Sequence, residues 1–288
     1  MKILVMGGSK FFGKRLVRKL VSEGHEVTVA TRSIEGLNDV DVRKVIFDRR
    51  SKESMQEAFG TESFDIVYDQ ICFTPVEAQI AVETFAGRVG RYIFTSSQAV
   101  YDSTDEVLAE GDFDAMKYPI HLEHETYDYK EGKRQAEAYF HQFAPFPVVS
   151  VRAALIISGE DDYTGRFAFH VNKVANGEPL SLKGAARISY AGAEDIAGFL
   201  AHIGTKSDFA GPINAGSPEW LDVEELAVTI GKLLDRQPIF DEENGARSPY
   251  SLGWTLKMTS ELARAQGYDF RSIYPVIEEI VNGERGDL

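Results

Sequence analysis

The chain contains a single cysteine, Cys72, among its 288 residues. An intramolecular disulfide and a thiolate metal cluster are therefore both excluded. Cys72 follows an apparent strand, where a small buried side chain is the expected role rather than a reactive thiol. Long apolar runs are missing as well, since no window approaches the ~18 uninterrupted apolar residues of a membrane span. Positive charge is scarce: 31 Lys and Arg stand against 45 Asp and Glu, for a net charge of −14. A surface of that sign repels polyanions, which disfavours nucleic acid as a partner. Much of the acid lies in 102–114, 123–128 and the C-terminal third, where solvated faces account for it. Internal repeats and low-complexity tracts are absent. Met1 leads directly into the apolar run KILVM, leaving no room for a signal peptide. The expected location is the cytoplasm, without a membrane partner.

What is present reads as an α/β pattern. Short runs rich in Val and Ile alternate with helix-period segments, which predicts a parallel sheet covered by helices on both faces. Strands are expected at 3–6, 26–31, 42–47, 64–69, 91–95 and 147–152, with helices at 12–23, 54–58, 76–85 and 129–143. In the first helix Phe12, Leu16 and Leu20 with Val17 and Val21 form an apolar stripe, while Lys14, Arg15, Arg18 and Lys19 take the outer face. After Arg152 the pattern loosens into a polar loop with Gly159 and Gly165, a helix at 167–176 and a short strand at 180–182. Helices starting at Glu194 and Asp222, a polar linker at 241–251 and a final helical pair complete the chain. The expected fold is α/β, a doubly wound parallel Rossmann sheet with a smaller mixed α/β C-terminal lobe. Residues 1–152, with returning segments from the second half, form the dinucleotide-binding domain, and 153–288 the substrate-binding lobe.

The run MGGSKFFG follows an apolar strand and opens an amphipathic helix, the context in which a glycine motif is informative. Glycine serves where a turn is tight and where backbone must approach a pyrophosphate, and the helix N-terminus offers free N–H groups. Gly7, Gly8, Ser9, Lys10, Phe11, Phe12 and Gly13 are thus the candidate cofactor loop, with Lys10 where a middle glycine would stand. The second strand ends VTVATRS, without the acid that an NAD-preferring site carries for the ribose 2′-hydroxyl. Thr31 and Ser33 flank Arg32 instead. With Lys10 nearby, two cations could meet a 2′-phosphate through charge-assisted bonds. The expected cofactor is NADP(H), with NAD(H) as the alternative. Asp48 ends the third strand in VIFDRR, beside Arg49. Both are candidate cofactor contacts, Asp48 for the adenine amino group, although a strand-end turn explains the acid equally well.

The segment RYIFTSSQAVY ends a buried strand in hydroxyls, and Tyr129-Lys-Glu-Gly-Lys133 follows at a helix start. Residues i and i+4 share a helix face, so the Lys133 ammonium can lie near the Tyr129 phenol and a cofactor ribose. A phenol is a poor base near neutrality unless positive charge favours the phenolate. Lys133 and an oxidised nicotinamide would supply that charge. Ser97 would hold a substrate hydroxyl or carbonyl while Tyr129 moves its proton.

The pieces GGSKFFG, FDRR, TSSQAVY, YKEGK, VVSVRAALI, EDIAGFL and INAGS resemble the extended or atypical short-chain dehydrogenase/reductases of the NAD-dependent epimerase/dehydratase superfamily. The resemblance runs over essentially the whole chain and implies Ser97, Tyr129 and Lys133 as the catalytic trio. Arg152-Ala153 replaces the family's Arg-Pro, and Lys10 gives G-G-x-x-x-x-G, similar to an atypical subgroup labelled variously sugar dehydratase, reductase or RNA-binding protein. Extended members often take nucleotide-sugars, which makes Arg166 and Arg187 candidate substrate-diphosphate ligands and Asn214 a residue closing the lobe. The same two arginines read equally as surface residues. Gln98 stands where a dehydratase would carry an acid, so epimerisation or carbonyl reduction is better supported than dehydration. The resemblance further implies a homodimer through the helices bearing Tyr129 and at 76–85. A second reading is a non-catalytic cofactor-sensing or RNA-binding protein, since such relatives resemble chloroplast stem-loop-binding proteins. His121-Leu-Glu-His124 reads as a solvated loop and no metal is expected. The stretch from Glu160 to Arg166 is a candidate lid.

Overall fold

The computed structural model describes residues 1–32, 37, 39–124, 126–159 and 161–285. Ser33, a candidate cofactor contact, and Glu160, at the start of the candidate lid, lie outside the described residues.

Seven parallel strands form the central sheet: β1 (Lys2–Met6), β2 (Glu26–Thr31), β3 (Arg43–Ile46), β4 (Phe64–Asp69), β5 (Val89–Ser97), β6 (Val148–Ala153) and β7 (Gly211–Ala215). Their order is β7-β6-β5-β4-β1-β2-β3. Alternation along β1 shows why the sheet is covered twice. Ile3 and Val5 enter one apolar cluster and Leu4 and Met6 the other, and all four are fully buried. Successive side chains of a strand point to opposite faces, so a strand apolar throughout must be buried on both.

One face carries α1 (Phe11–Ser22), packed against α6 (Ala193–Thr205). The other carries α2 (Lys52–Phe59), α3 (Pro75–Phe85) and α4 (Tyr129–Phe143), with α3 lying against both its neighbours. Side-chain caps start these three helices: Ser51 accepts from Ser54 N–H, Thr74 from Glu77 N–H and Asp128 from Glu131 N–H. Each satisfies a backbone donor that the helix cannot.

Smaller sheets sit beside the main one. Leu155–Ile157, Ile188–Gly192 and Trp220–Leu221 form a three-stranded sheet, while Leu180–Ser181 pairs with Ala246–Arg247 and Val107–Leu108 with Lys257–Met258. The supposed linker at 241–251 therefore contributes a strand. The expected helices of the second half are α5 (Arg166–Ala175), α6, α7 (Val223–Leu234) and the pair α8 (Glu261–Ala265) and α9 (Ile273–Arg285). No helix among the described residues is long and apolar enough to cross a membrane. The chain runs outward through β1, β2 and β3, then returns to β4 on the other side of β1. At such a reversal the loops leaving the strand ends diverge and open a crevice, where ligands of doubly wound sheets bind.

Candidate functional site

The loop leaving β1 lines one side of that crevice. Gly7 has φ +90°, a region that a side chain would strain, and its N–H donates to Ala30 O at 2.9 Å. At Gly13 an added Cβ would lie 2.5 Å from Gly7 O and would also overlap the Gln70 side chain. Lys10 is the N-cap of α1 but supplies no capping bond, and the first turn holds no acid. The N–H groups and positive end of this helix are thus free to meet an anion, which is what a dinucleotide diphosphate requires. Phe11 is buried with φ +53°, and its ring meets Phe12 and Tyr163 edge-on at 5.5 and 6.1 Å. Lys10 and Arg32 are exposed and have no carboxylate partner among the described residues; Thr31 is the last residue of β2, immediately before Arg32.

Asp48 and Arg49 diverge. Asp48 is half-exposed and forms a turn, its Oδ1 accepting from Arg50 N–H at 3.0 Å. Arg49 turns inward, 5% exposed, and its Nη2 donates to Asp69 Oδ2 at 2.5 Å. Asp69, the last residue of β4, is fully buried and also accepts from Tyr92 OH at 2.5 Å and from Ile71 N–H at 3.2 Å. Burial works against the Arg49 charge, but Asp69 outweighs it and the pKa moves up. Burial likewise pushes the Cys72 thiol up to about 12, which keeps it protonated and unreactive.

The hydroxyl and lysine groups belong to the end of β5 and the start of α4, which the Lys133–Thr95 O bond joins. Asp128 caps α4, so Tyr129 is its first residue, 55% exposed. One turn on, Lys133 is 2% exposed, and its Nζ donates to Cys72 O and Thr95 O, each at 2.8 Å. The rings of Phe73 and Phe94 face the ammonium at 4.5 and 4.9 Å. Phe73 also packs on Tyr129, with ring centroids 6.2 Å apart. One aromatic side chain therefore touches both halves of the Tyr–Lys pair. Ser97 ends β5, partly exposed, and its Oγ accepts from Ala99 N–H at 3.2 Å, which leaves its own O–H available. Farther along α4, Glu137 accepts from Ser96 Oγ at 2.5 Å and from Arg152 Nη2 at 2.6 Å, with Glu137 and Arg152 both fully buried.

The candidate substrate residues are each engaged within the chain. Gln98 is buried and donates to Ser189 O at 3.3 Å. Arg166 Nε donates to Thr164 Oγ1 at 3.1 Å, and its guanidinium lies 5.9 Å from the Tyr250 ring. Arg187 pairs with Glu225, a residue of the α7 capping box. No contact joins the two arginines among the described residues. Asn214 is fully buried, accepting from Tyr101 OH at 2.7 Å and donating to Thr259 O at 3.0 Å. Arg15 of α1 pairs with Asp161 and, at 3.3 Å, with Glu194, so the described part of the loop after Ser158 lies against the helix that the glycines open. His121, Glu123 and His124 bring ligand atoms within 4.8 Å of one another, all on exposed side chains.

Asp69, Phe73 and Glu137 went unmarked in the sequence. The available signal for the two acids was one closing the strand FDIVYD and another midway along an amphipathic helix.

The model of the NAD dependent epimerase/dehydratase family matches residues 3–216. Among solved structures, UDP-glucose 4-epimerase of Thermus thermophilus in complex with NAD superposes with a TM-score of 0.79 at 20% identity, over 100% of both chains. The dTDP-glucose 4,6-dehydratase of Bacillus anthracis, in complex with NAD, gives 0.80 at 15% identity over 99% of this chain and 97% of its own. At such identities the likeness establishes the fold. Among curated proteins, chloroplast stem-loop binding protein of 41 kDa b from Arabidopsis thaliana is 33% identical over 40% of this chain and 34% of its own length. UDP-glucuronic acid decarboxylase 1 of Danio rerio is 24% identical over 81% of this chain and 60% of its own. The chain thus spans about a third of one of these relatives and three-fifths of the other.

Proposed function

The chain belongs to the NAD dependent epimerase/dehydratase family, and from that premise we propose that it is a dinucleotide-dependent oxidoreductase or epimerase. Its substrate is a small molecule bearing a hydroxyl or carbonyl, with nucleotide-sugars as the class. The observation that carries this reading is the buried Lys133 ammonium, one helical turn from exposed Tyr129 and bonded to Thr95 O of β5, the strand that Ser97 ends. An ammonium has three donors, and two are taken by Cys72 O and Thr95 O. The third can reach a ribose hydroxyl. Ser97 O–H donates to the substrate oxygen, and Tyr129 moves the proton of that oxygen. A bound nicotinamide dinucleotide supplies or accepts the hydride.

The uncapped, acid-free start of α1 and the close approach at Gly13 fit such a group. Arg32 and Lys10, exposed and without carboxylate partners among the described residues, support NADP(H) over NAD(H), although the epimerase and dehydratase structures hold NAD. The net charge of −14 weighs against the RNA reading that the stem-loop binding relative suggests.

A screen of UDP-sugars and small carbonyl compounds with NADPH tests the chemistry. Tyr129→Phe is expected to lower turnover of any hit by about 100-fold or more; equal turnover by the two proteins defeats the assignment. Arg32→Ala is expected to weaken NADPH about tenfold and NADH less than about twofold. Tighter binding of NADH than NADPH by the unaltered protein would remove the cofactor preference.

A further inference from the structure

The loop between β4 and α3 is held from several directions. Asp69 Oδ1 accepts from Ile71 N–H, Glu77 Oε2 accepts from Phe73 N–H at 2.6 Å, and Cys72 O accepts from Lys133 Nζ. Phe73 O lies so close to Gly132 that a Cβ there would overlap it, so the loop also sets how near α4 can come. At its root, Asp69 Oδ2 takes both Arg49 Nη2 and Tyr92 OH at 2.5 Å. A carboxylate with no exposure, bonded on both oxygens, has one available orientation. The main chain that grips Lys133 follows from it three residues later.

Arg49 makes this arrangement unusual. It is 5% exposed, yet its Nε and Nη1 have no hydrogen-bond partner among the described residues. A buried guanidinium joined through one nitrogen is costly on its own account. As support for stability alone such a pair is poorly made, whereas as a fixed charge that orients Asp69 it has a use.

We propose that Asp69, held by Arg49 and Tyr92, is the positioning residue for Lys133. It fixes the loop whose Cys72 carbonyl and Phe73 ring hold the ammonium toward the nicotinamide half of the cofactor. The inference rests on the reading of Lys133 given above and adds a residue that acts on it from the far side of β4. Arg49 then serves the cofactor through Asp69, without touching it.

Binding of intact NADPH or NADH, followed by fluorescence, is compared with binding of 2′,5′-ADP or ADP, which lack the nicotinamide half. The proteins are the unaltered chain, Asp69→Asn, Lys133→Met and the double variant. Lys133→Met is expected to weaken the intact dinucleotide about tenfold or more, the loss of a charged hydrogen bond. Asp69→Asn is expected to weaken it several-fold while leaving the adenosine fragment unchanged. In the Lys133→Met background Asp69→Asn should add nothing, because both act through one contact. A merely structural Asp69 would instead weaken both ligands and give fold-changes that multiply. Either result overturns the proposal.

Should Asp69→Asn fail to fold, Arg49→Met takes its place with the same expectations. Loss of adenosine-fragment affinity in Arg49→Met would show direct contact and sink the inference. If the unaltered protein bound no dinucleotide, or Lys133→Met bound it unchanged, the functional reading itself would fall and this inference with it. A normal Lys133 effect with multiplying fold-changes removes the Asp69 inference alone.

Discussion

Glu137→Ala is expected to be among the most destabilising single changes available in this chain, through the cation it would strand. Arg152 is fully buried and uses all its nitrogens: Nε and Nη2 on Glu137 Oε1 at 3.0 and 2.6 Å, Nη1 on Tyr101 OH and Glu110 O, and Nη2 also on Phe113 O. Burial alone opposes the Arg152 charge, and Glu137 more than restores it. Removing one partner of such a pair costs about 3–5 kcal/mol, because the remaining charge keeps its desolvation and loses its compensation. Against a total stability of roughly 5–15 kcal/mol this is a large share. The expected fall in melting temperature is roughly 6–20 °C. Thermal and urea unfolding followed by circular dichroism measure it. Lys117→Ala is the control, since its pair with Asp114 is exposed (86% and 45%) and its loss should leave the melting temperature essentially unchanged. Replacing both members, Glu137→Leu with Arg152→Met, should recover much of the loss. If Glu137→Ala lost less than about 1 kcal/mol, or if the double variant were no better than the single, the electrostatic reasoning would be wrong.

Gly13→Ala should weaken NADPH binding and lower stability by about 1–3 kcal/mol, since its Cβ would press on Gly7 O at 2.5 Å; parent-like affinity and melting would contradict the packing argument. His170 offers a pH signature. Its Nδ1 faces Arg166 O at 2.8 Å, and since a carbonyl only accepts, the proton sits on Nδ1 while Nε2 accepts from Ser248 Oγ at 2.7 Å. Burial pulls the ring down from 6.5 to about 4, against the Arg166 hydrogen bond. The unfolded chain therefore binds the extra proton between those values. Its contribution is whole above about pH 6.5 and declines as pH falls toward 4, by up to about 3 kcal/mol. Urea unfolding at pH 7 and 4.5 should show a shallower acid loss in His170→Gln, and an unchanged slope would refute it.

The parts of the fold that could be read from sequence are those written locally. Six strands of the main sheet announce themselves through Val and Ile runs, and the glycine loop through its position between strand and helix. Tyr129 and Lys133 are four residues apart on one helix, so their shared face follows from helical geometry. The seventh strand, Gly211-Pro-Ile-Asn-Ala215, was hidden because Gly and Pro at its start read as a turn. Its strand identity comes from pairing with β6, as Asn214 opposite Arg152 illustrates. Arg49 and Asp69 are 20 positions apart, and nothing in VIFDRR tells which of its two arginines turns inward. The 3.6-residue period places Glu137 on the face of Lys133 but cannot announce Arg152 as its partner.

That seventh strand has a consequence during synthesis. Ala153 ends β6 and Gly211 begins β7, and β7 covers an edge that nothing earlier in the chain pairs with. At about 5–20 residues per second, a gap of roughly 60 residues leaves β6 as an open edge for about 3–12 s. Helix α6, which closes the face over α1, arrives in the same interval. An uncovered edge of Val148, Val149 and Val151 is a template for pairing with another chain. The nascent protein should therefore become protease-resistant only after Ala215 has left the ribosome, a threshold that stalled chains of graded length would locate.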